Sequence, residues 1–192
     1  MDKREHLIRT AFTLFYRHGI HAVGINRILE ESGIAKKTLY HHFASKEDLV
    51  VAALEYRDRI YLDWLSGRLA AVPAGQQGIA ELFRALDDWF NGRVQELKPY
   101  RGCFFINASA EYGDRQHPVH RVCAGHKDKV AALIREQVEA LSLSPKRAEA
   151  VCEALALLKE GATVLAHVQG DRDAARRAGR LAELLVKREK DE

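Results

Sequence analysis

Apolar residues recur along this chain at intervals of three and four rather than two, which predicts helices throughout and leaves strands without a signal. The first helix is expected over 3–18, with Leu7, Ile8, Ala11, Phe12, Leu14 and Phe15 on one side and His18-Gly19 as its stop. Two short helices follow at 25–32 and 36–42, separated by Ser32-Gly33-Ile34-Ala35. Neither is long enough to stand without the other. Ser45-Lys46-Glu47-Asp48 reads as a capping box and opens a long helix over 46–72, which ends before Pro73-Ala74-Gly75. Later helices are expected at 77–97, 103–113, 118–141, 145–168 and 172–189. Ser144-Pro145 starts one of them, and Gly170-Asp171 closes one and opens the next. The expected fold class is all-α with about nine helices.

Composition adds limits. The 192 residues are 47% hydrophobic and 30% charged, as in a globular protein rather than a disordered or fibrous one. A net charge of +3 is too mild to imply nucleic acid by itself, so any basic footprint must be local. Cys103, Cys123 and Cys152 are an odd number behind a charged start, Met1-Asp2-Lys3-Arg4-Glu5, which predicts free thiols and a cytoplasmic location. No apolar run approaches the roughly 20 residues of a membrane span, so no membrane partner is expected. Nothing near residue 45 reads as a flexible linker. A small N-terminal unit, 1–46, is expected to enter the connecting helix 46–72 rigidly, ahead of a second domain over 47–192.

Residues 24–46 read as helix, glycine-centred turn, helix. Ile25, Ile28 and Leu29 make the apolar stripe of the first helix, Ile34 sits in the turn, and Leu39 and Phe43 bury the inner side of the second. The outer side then carries Lys36, Lys37, Tyr40 and His41, on a cylinder that fits a major groove about 12 Å wide. Lys36 and Lys37 open the second helix and can reach base edges or phosphates, with Lys37 assigned to bases. Tyr40 and His41 lie one turn on, and Lys46 lies at the start of the long helix, where phosphate is favoured. With Thr38 these form the candidate DNA-binding set. On periodicity alone the same residues are equally an ordinary solvated face.

The run Gly33-Ile34-Ala35-Lys36-Lys37-Thr38-Leu39-Tyr40-His41-His42-Phe43, followed by Ser45-Lys46-Glu47-Asp48-Leu49, resembles the signature of the tetracycline-repressor (TetR) family. The resemblance covers roughly residues 5–55, including Ala11, Phe12, Leu14, Phe15 and Gly19 of the first helix. It implies a three-helix DNA-binding domain with a helix-turn-helix, a long fourth helix, and a helical C-terminal domain for ligand binding and dimerisation. It also implies a homodimer on near-palindromic double-stranded operator DNA. Gly24 and Ala35 depart from the Ser or Thr that family members often place at these caps, which removes stabilising cap bonds and any hydroxyl-to-phosphate contact at position 35.

Arg101-Gly102-Cys103-Phe104 resembles the glycine-cysteine opening of the sixth helix in one group of these regulators. Candidate ligand-binding residues are Tyr61, Trp64 and Leu65 on the long helix, Phe83, Leu86 and Phe90 on the next, and Cys103, Phe104, Asn107 and Glu111 beyond, mostly apolar with a few polar groups. Plain core packing accounts for the apolar members equally well. Cys103 stands at an expected helix N-terminus, which favours negative charge, so a thiol-based redox sensor is an alternative. His117, His120, Cys123 and His126 are spaced by three, but at about 100° per residue the four do not share a helix face, and no metal or other cofactor is expected. His126-Lys127 reads instead as a polar face. The small and apolar residues of 145–168 and 172–189 are expected to pack against a second copy, as the corresponding helices do in the family.

The reading is a repressor released by a small-molecule or electrophile inducer, and not an enzyme. A cysteine-dependent enzyme using Cys103 and a DNA-architectural protein without sequence preference are the rivals.

Overall fold

The computed structural model describes residues 2–97 and 99–187. In chain order they form α1 (Lys3–His18), α2 (Ile25–Ser32), α3 (Lys36–His42), α4 (Lys46–Ala70), α5 (Gln76–Phe90), a 3-10 turn (Gln95–Leu97), α6 (Phe104–Glu111), α7 (Pro118–Glu139), α8 (Pro145–Val168) and α9 (Ala174–Lys187). No strand occurs among the described residues. No helix among them is long and apolar enough to cross a membrane. Residues 188 and 189, the end of the helix expected at 172–189, lie outside the described residues.

Local chemistry sets the boundaries. Gly33, with φ of +65°, ends α2 in the left-handed region that glycine enters without a Cβ penalty. Ser45 starts α4, its hydroxyl accepting the N–H of Asp48 at 3.0 Å, while the Asp48 carboxylate accepts the N–H of Ala44 at 3.1 Å. The expected helix 77–97 is cut short. Asn91-Gly92 forms a stop, with the N–H of Asn91 on the carbonyl of Asp87, that of Gly92 on Trp89, and Gly92 at φ +67°. Once the chain turns left-handed there, the apolar Leu97 is buried from a 3-10 turn, and Val94 from the residue just before it, instead of from a continued helix.

Two compact units result. One comprises the chain up to Arg59 together with Cys103–His126, and the other Ile60–Gly102 with the chain from Lys127 onward. In the first, α2 and α3 pack on α1 around Leu7, Ala11, Phe15, Ile28 and Leu39, all essentially sealed from solvent. Phe104 of α6 joins the same unit, its ring edge-on to Phe12 at 5.4 Å and to Tyr16 at 5.7 Å. Arg57 of α4 lies over those two α1 rings at 5.6 and 5.4 Å. In the second unit α9 packs along α5 and α8. Gly179 allows that approach, since a Cβ there would stand 3.0 Å from the Cβ of Phe83.

His126, expected on a polar face, is 2% exposed. Its Nδ1 lies 2.7 Å from the Asp58 carboxylate and its ring stacks on Phe105 at 3.6 Å. A buried imidazole needs both a polar partner and a flat apolar surface, and elements far apart in sequence provide them.

Candidate nucleic-acid interface and sensor residues

The α3 helix has only seven residues and borrows its stability from the helices beneath it. Leu39 is fully buried and Phe43 is 4% exposed, which turns the opposite side outward. Lys36, Lys37, Tyr40 and His41 are all exposed along that side, and Thr38 is half-buried. The Lys36 ammonium lies 6.0 Å from the centre of the Tyr40 ring, one turn away. The His41 and His42 rings meet at 5.2 Å. Cationic, hydroxyl and imidazole groups thus share one protruding face with no carboxylate in the helix. Such a face can donate to phosphate and to purine acceptors at once.

Lys46 takes a different place from the other candidates. It is half-buried, and its Nζ donates to the carbonyl of Ile20 at 2.7 Å while lying 6.0 Å from the centre of the Phe15 ring. The same loop is held from its other side by Glu111, whose carboxylate accepts the N–H groups of Ile20 at 2.8 Å and His21 at 2.6 Å. Burial pushes the Glu111 carboxyl up, but the bonds from His21 and Ile20 outweigh it and hold the group below the ordinary carboxylate range. The Tyr112 ring stacks on His21 at 5.0 Å and meets His117 at 4.6 Å. His120 Nδ1 lies 2.8 Å from the Tyr112 carbonyl.

Of the candidate ligand residues, Tyr61, Trp64, Leu65, Phe83, Leu86 and Phe90 fall in the second unit. Tyr61 is 2% exposed and meets Trp64 at 5.3 Å and Trp89 at 5.2 Å. Phe90 meets Trp89 at 5.5 Å and Tyr100 at 5.1 Å. Leu65, Phe83 and Leu86 are buried, and Trp64 is half-buried. Trp89 and Tyr100 bind this aromatic group together, and neither is among the candidates that the sequence pattern offers. The signal for Trp89 was its position three residues after Leu86 on the same helix face.

Cys103, Phe104, Asn107 and Glu111 fall in the first unit. Cys103 is a buried cysteine outside any disulfide at the N-cap of α6, Phe104 packs on α1, Asn107 is half-buried, and Glu111 holds the 20–21 loop. The preceding Gly102, at φ +82°, belongs to the second unit, where a Cβ on it would stand 2.6 Å from the His167 ring. The glycine of the glycine-cysteine pair is therefore required by backbone conformation and by close packing.

Residues 7–53 match the model of bacterial regulatory proteins of the tetR family, and residues 78–182 match that of the tetracyclin repressor-like C-terminal domain. The transcriptional regulator Rv0196 of Mycobacterium tuberculosis is 28% identical over 174 residues, 88% of this chain and 86% of that one. Two curated relatives are more alike over shorter stretches, about a third of each: 45% over 60 residues with YxaF of Bacillus subtilis, 31% of either chain, and 41% over 67 residues with the transcriptional repressor KstR2 of Mycolicibacterium smegmatis, 35% of this chain and 31% of that one. The crystal structure of SCO4454, a TetR-family regulator from Streptomyces coelicolor, superposes with a TM-score of 0.84 at 30% identity, covering 96% of this chain and 94% of that one. With an exposed basic helix on a three-helix head and both family domains matched in order, this chain belongs to the TetR family of helix-turn-helix transcriptional regulators.

Proposed function

We propose that the protein is a repressor that binds a near-palindromic operator as a homodimer and is released by a small-molecule effector. The observation that carries the DNA half is the outward face of α3. Lys36, Lys37, Tyr40 and His41 project from a helix whose other side, Leu39 with the capping Phe43, is locked into the core. In this reading Lys37 reads base edges, while Lys36, Thr38, Tyr40, His41 and Lys46 position the head on phosphates. KstR2, similar over 67 residues, is named a repressor, which supports that sign of regulation.

The dimer reading is supported by the outer face of α8 and α9. Leu157, Leu181 and Leu184 are 68%, 51% and 59% exposed there, and together with Ala154, Gly161 and Leu165 they line a groove of about 650 Å3. A contiguous apolar patch of this kind marks an interaction surface, and small residues within it permit close helix approach. A second copy of the same two helices would cover it by two-fold symmetry and place two heads on successive major grooves, about 34–36 Å apart. In this reading the effector lies against the aromatic group of Tyr61, Trp64 and Phe90, with Phe83 and Leu86 as further apolar members of the same unit. It releases DNA only to the extent that it prefers the non-binding conformation.

Selection of duplexes from a random pool, followed by fluorescence anisotropy at several salt concentrations, tests the reading. Lys37→Ala should weaken binding to the selected duplex by about 1–3 kcal/mol and relax sequence preference. Lys36→Ala should lower the salt slope by about one. Equal affinity for selected and random duplexes would remove the operator reading.

A further inference from the structure

The inward stripe of α8 runs through Val151, Cys152, Leu155, Lys159, Ala162, Thr163 and Ala166, all buried. One member is a lysine. Lys159 is 2% exposed, in the middle of a face that is otherwise apolar apart from Thr163. Its Nζ donates to Glu160 Oε1 at 2.7 Å, and the same carboxylate takes the Lys127 ammonium at 2.7 and 2.8 Å. Among the described residues no second acceptor lies within hydrogen-bond distance of Lys159 Nζ. Two of its three N–H groups are thus unmatched, and one carboxylate is shared by two ammonium groups. Burial raises the Glu160 carboxyl, but Lys159 and Lys127 hold it below the ordinary range, so it is ionised and already committed.

A buried ammonium with open donors is costly, and an apolar side chain of similar length would serve packing better. The cost is offset if an acceptor arrives from outside the chain. The next turn of α8 is tied to an aromatic group. One turn along α8, the Thr163 hydroxyl donates to the Lys159 carbonyl at 2.9 Å, and the Thr163 carbonyl accepts the Tyr100 hydroxyl at 3.0 Å. Tyr100 stands edge-on to Trp89 at 5.1 Å, in the aromatic group already described.

Resting on the effector reading above, we propose that the effector is an organic carboxylate with an apolar body, its carboxylate accepting from the open donors of Lys159 and its body lying against the Trp89 and Tyr100 rings. The charge, rather than the shape, is the specific claim.

The test uses the intact protein and two series matched in body and differing in head group: phenylpropionate, phenylpropanol and phenylpropylamine, then decanoate, decanol and decylamine. Calorimetry should show an acid binding about tenfold or more tightly than its alcohol, with the amine weakest. Lys159→Gln should erase that preference and Lys159→Arg should retain it. Without any ligand, Lys159→Met should unfold at the same temperature as the parent or higher, because an underfilled charge has been removed. A fall in Tm as large as that of Glu160→Gln would instead make Lys159 a structural ion-pair member and overturn the proposal. So would an alcohol that matches its acid, a preference that survives in Lys159→Gln, or no binding by either acid. Alcohols that release operator as well as acids would leave the effector reading standing and defeat only the charge assignment. Acids that bind through Lys159 but leave operator affinity unchanged would do the reverse.

Discussion

The Glu111 carboxylate, at the last residue of α6, lies 2.6 Å from the backbone N–H of His21 and 2.9 Å from that residue's Nδ1. Ninety residues of sequence separate the pair, yet the contact sits in the loop that joins α1 to the helix-turn-helix. A charged acceptor on consecutive N–H groups is worth more than a neutral one, because the ionised carboxylate strengthens each bond it accepts.

Glu111→Gln keeps one acceptor oxygen and loses the charge. Chemical denaturation should show a loss of about 1–2 kcal/mol. Glu111→Ala should cost more, since both N–H groups then lose their partner. Unchanged stability in both variants would mean that the loop is held by Lys46 and packing alone.

The acid limb of the stability curve carries the same signature. The folded pKa of Glu111 is depressed, so its contribution is fully present above the unfolded value and is lost as pH falls through the folded one, below about pH 4–5. Other carboxylates titrate in the same window, Asp88 and Glu160 among them, so the informative quantity is the difference between parent and Glu111→Gln. That difference should shrink on acidification.

Ala35 stands at the N-cap of α3 with extended backbone, φ −65° and ψ 142°, and makes no side-chain cap bond. Ala35→Ser should stabilise the head by about 1 kcal/mol, because the hydroxyl meets an N–H of the first turn that now has none. Thermal unfolding of the single variant measures it. A neutral or negative result would indicate that solvent already satisfies that turn.

Gly102→Ala should be destabilising by about 2 kcal/mol or more, from the left-handed φ and from contact with the His167 ring together. Pairing it with His167→Ala separates the two causes. The double variant should recover the steric part and keep the backbone part.

Leu181→Glu places a charge in the outer groove of α8 and α9, where the leucine is half exposed in the single chain. If two copies meet there, light scattering should show monomer where the parent is dimer, with dimer affinity reduced about a hundredfold or more. A dimer that tolerates the change places the interface elsewhere.

Periodicity resolved the helices that carry their own stop and start signals. The expected 3–18, 25–32, 36–42 and 145–168 coincide with α1, α2, α3 and α8, because glycine, proline and capping residues act within a few positions of each end. The helix expected over 77–97 overran its end, since apolar Val94 and Leu97 keep a helical spacing past the Asn91-Gly92 stop. Glu111 and Asn107, four apart on one face, read as ligand candidates from spacing. Spacing places residues on a face without saying what covers that face, and for Glu111 the cover is a loop ninety residues away.

The order of apolar and polar positions by itself determined an all-helical chain with a short helix near its start whose outward face is basic, because helix periodicity and capping are local and each residue's neighbours along the chain suffice. Only tertiary structure decided that α6 shares a compact unit with the head, that His126 is buried on Asp58, and that Lys159 faces inward with too few acceptors. Burial and hydrogen-bond satisfaction are properties of what surrounds a group in space, and here the surroundings come from segments that no local pattern joins.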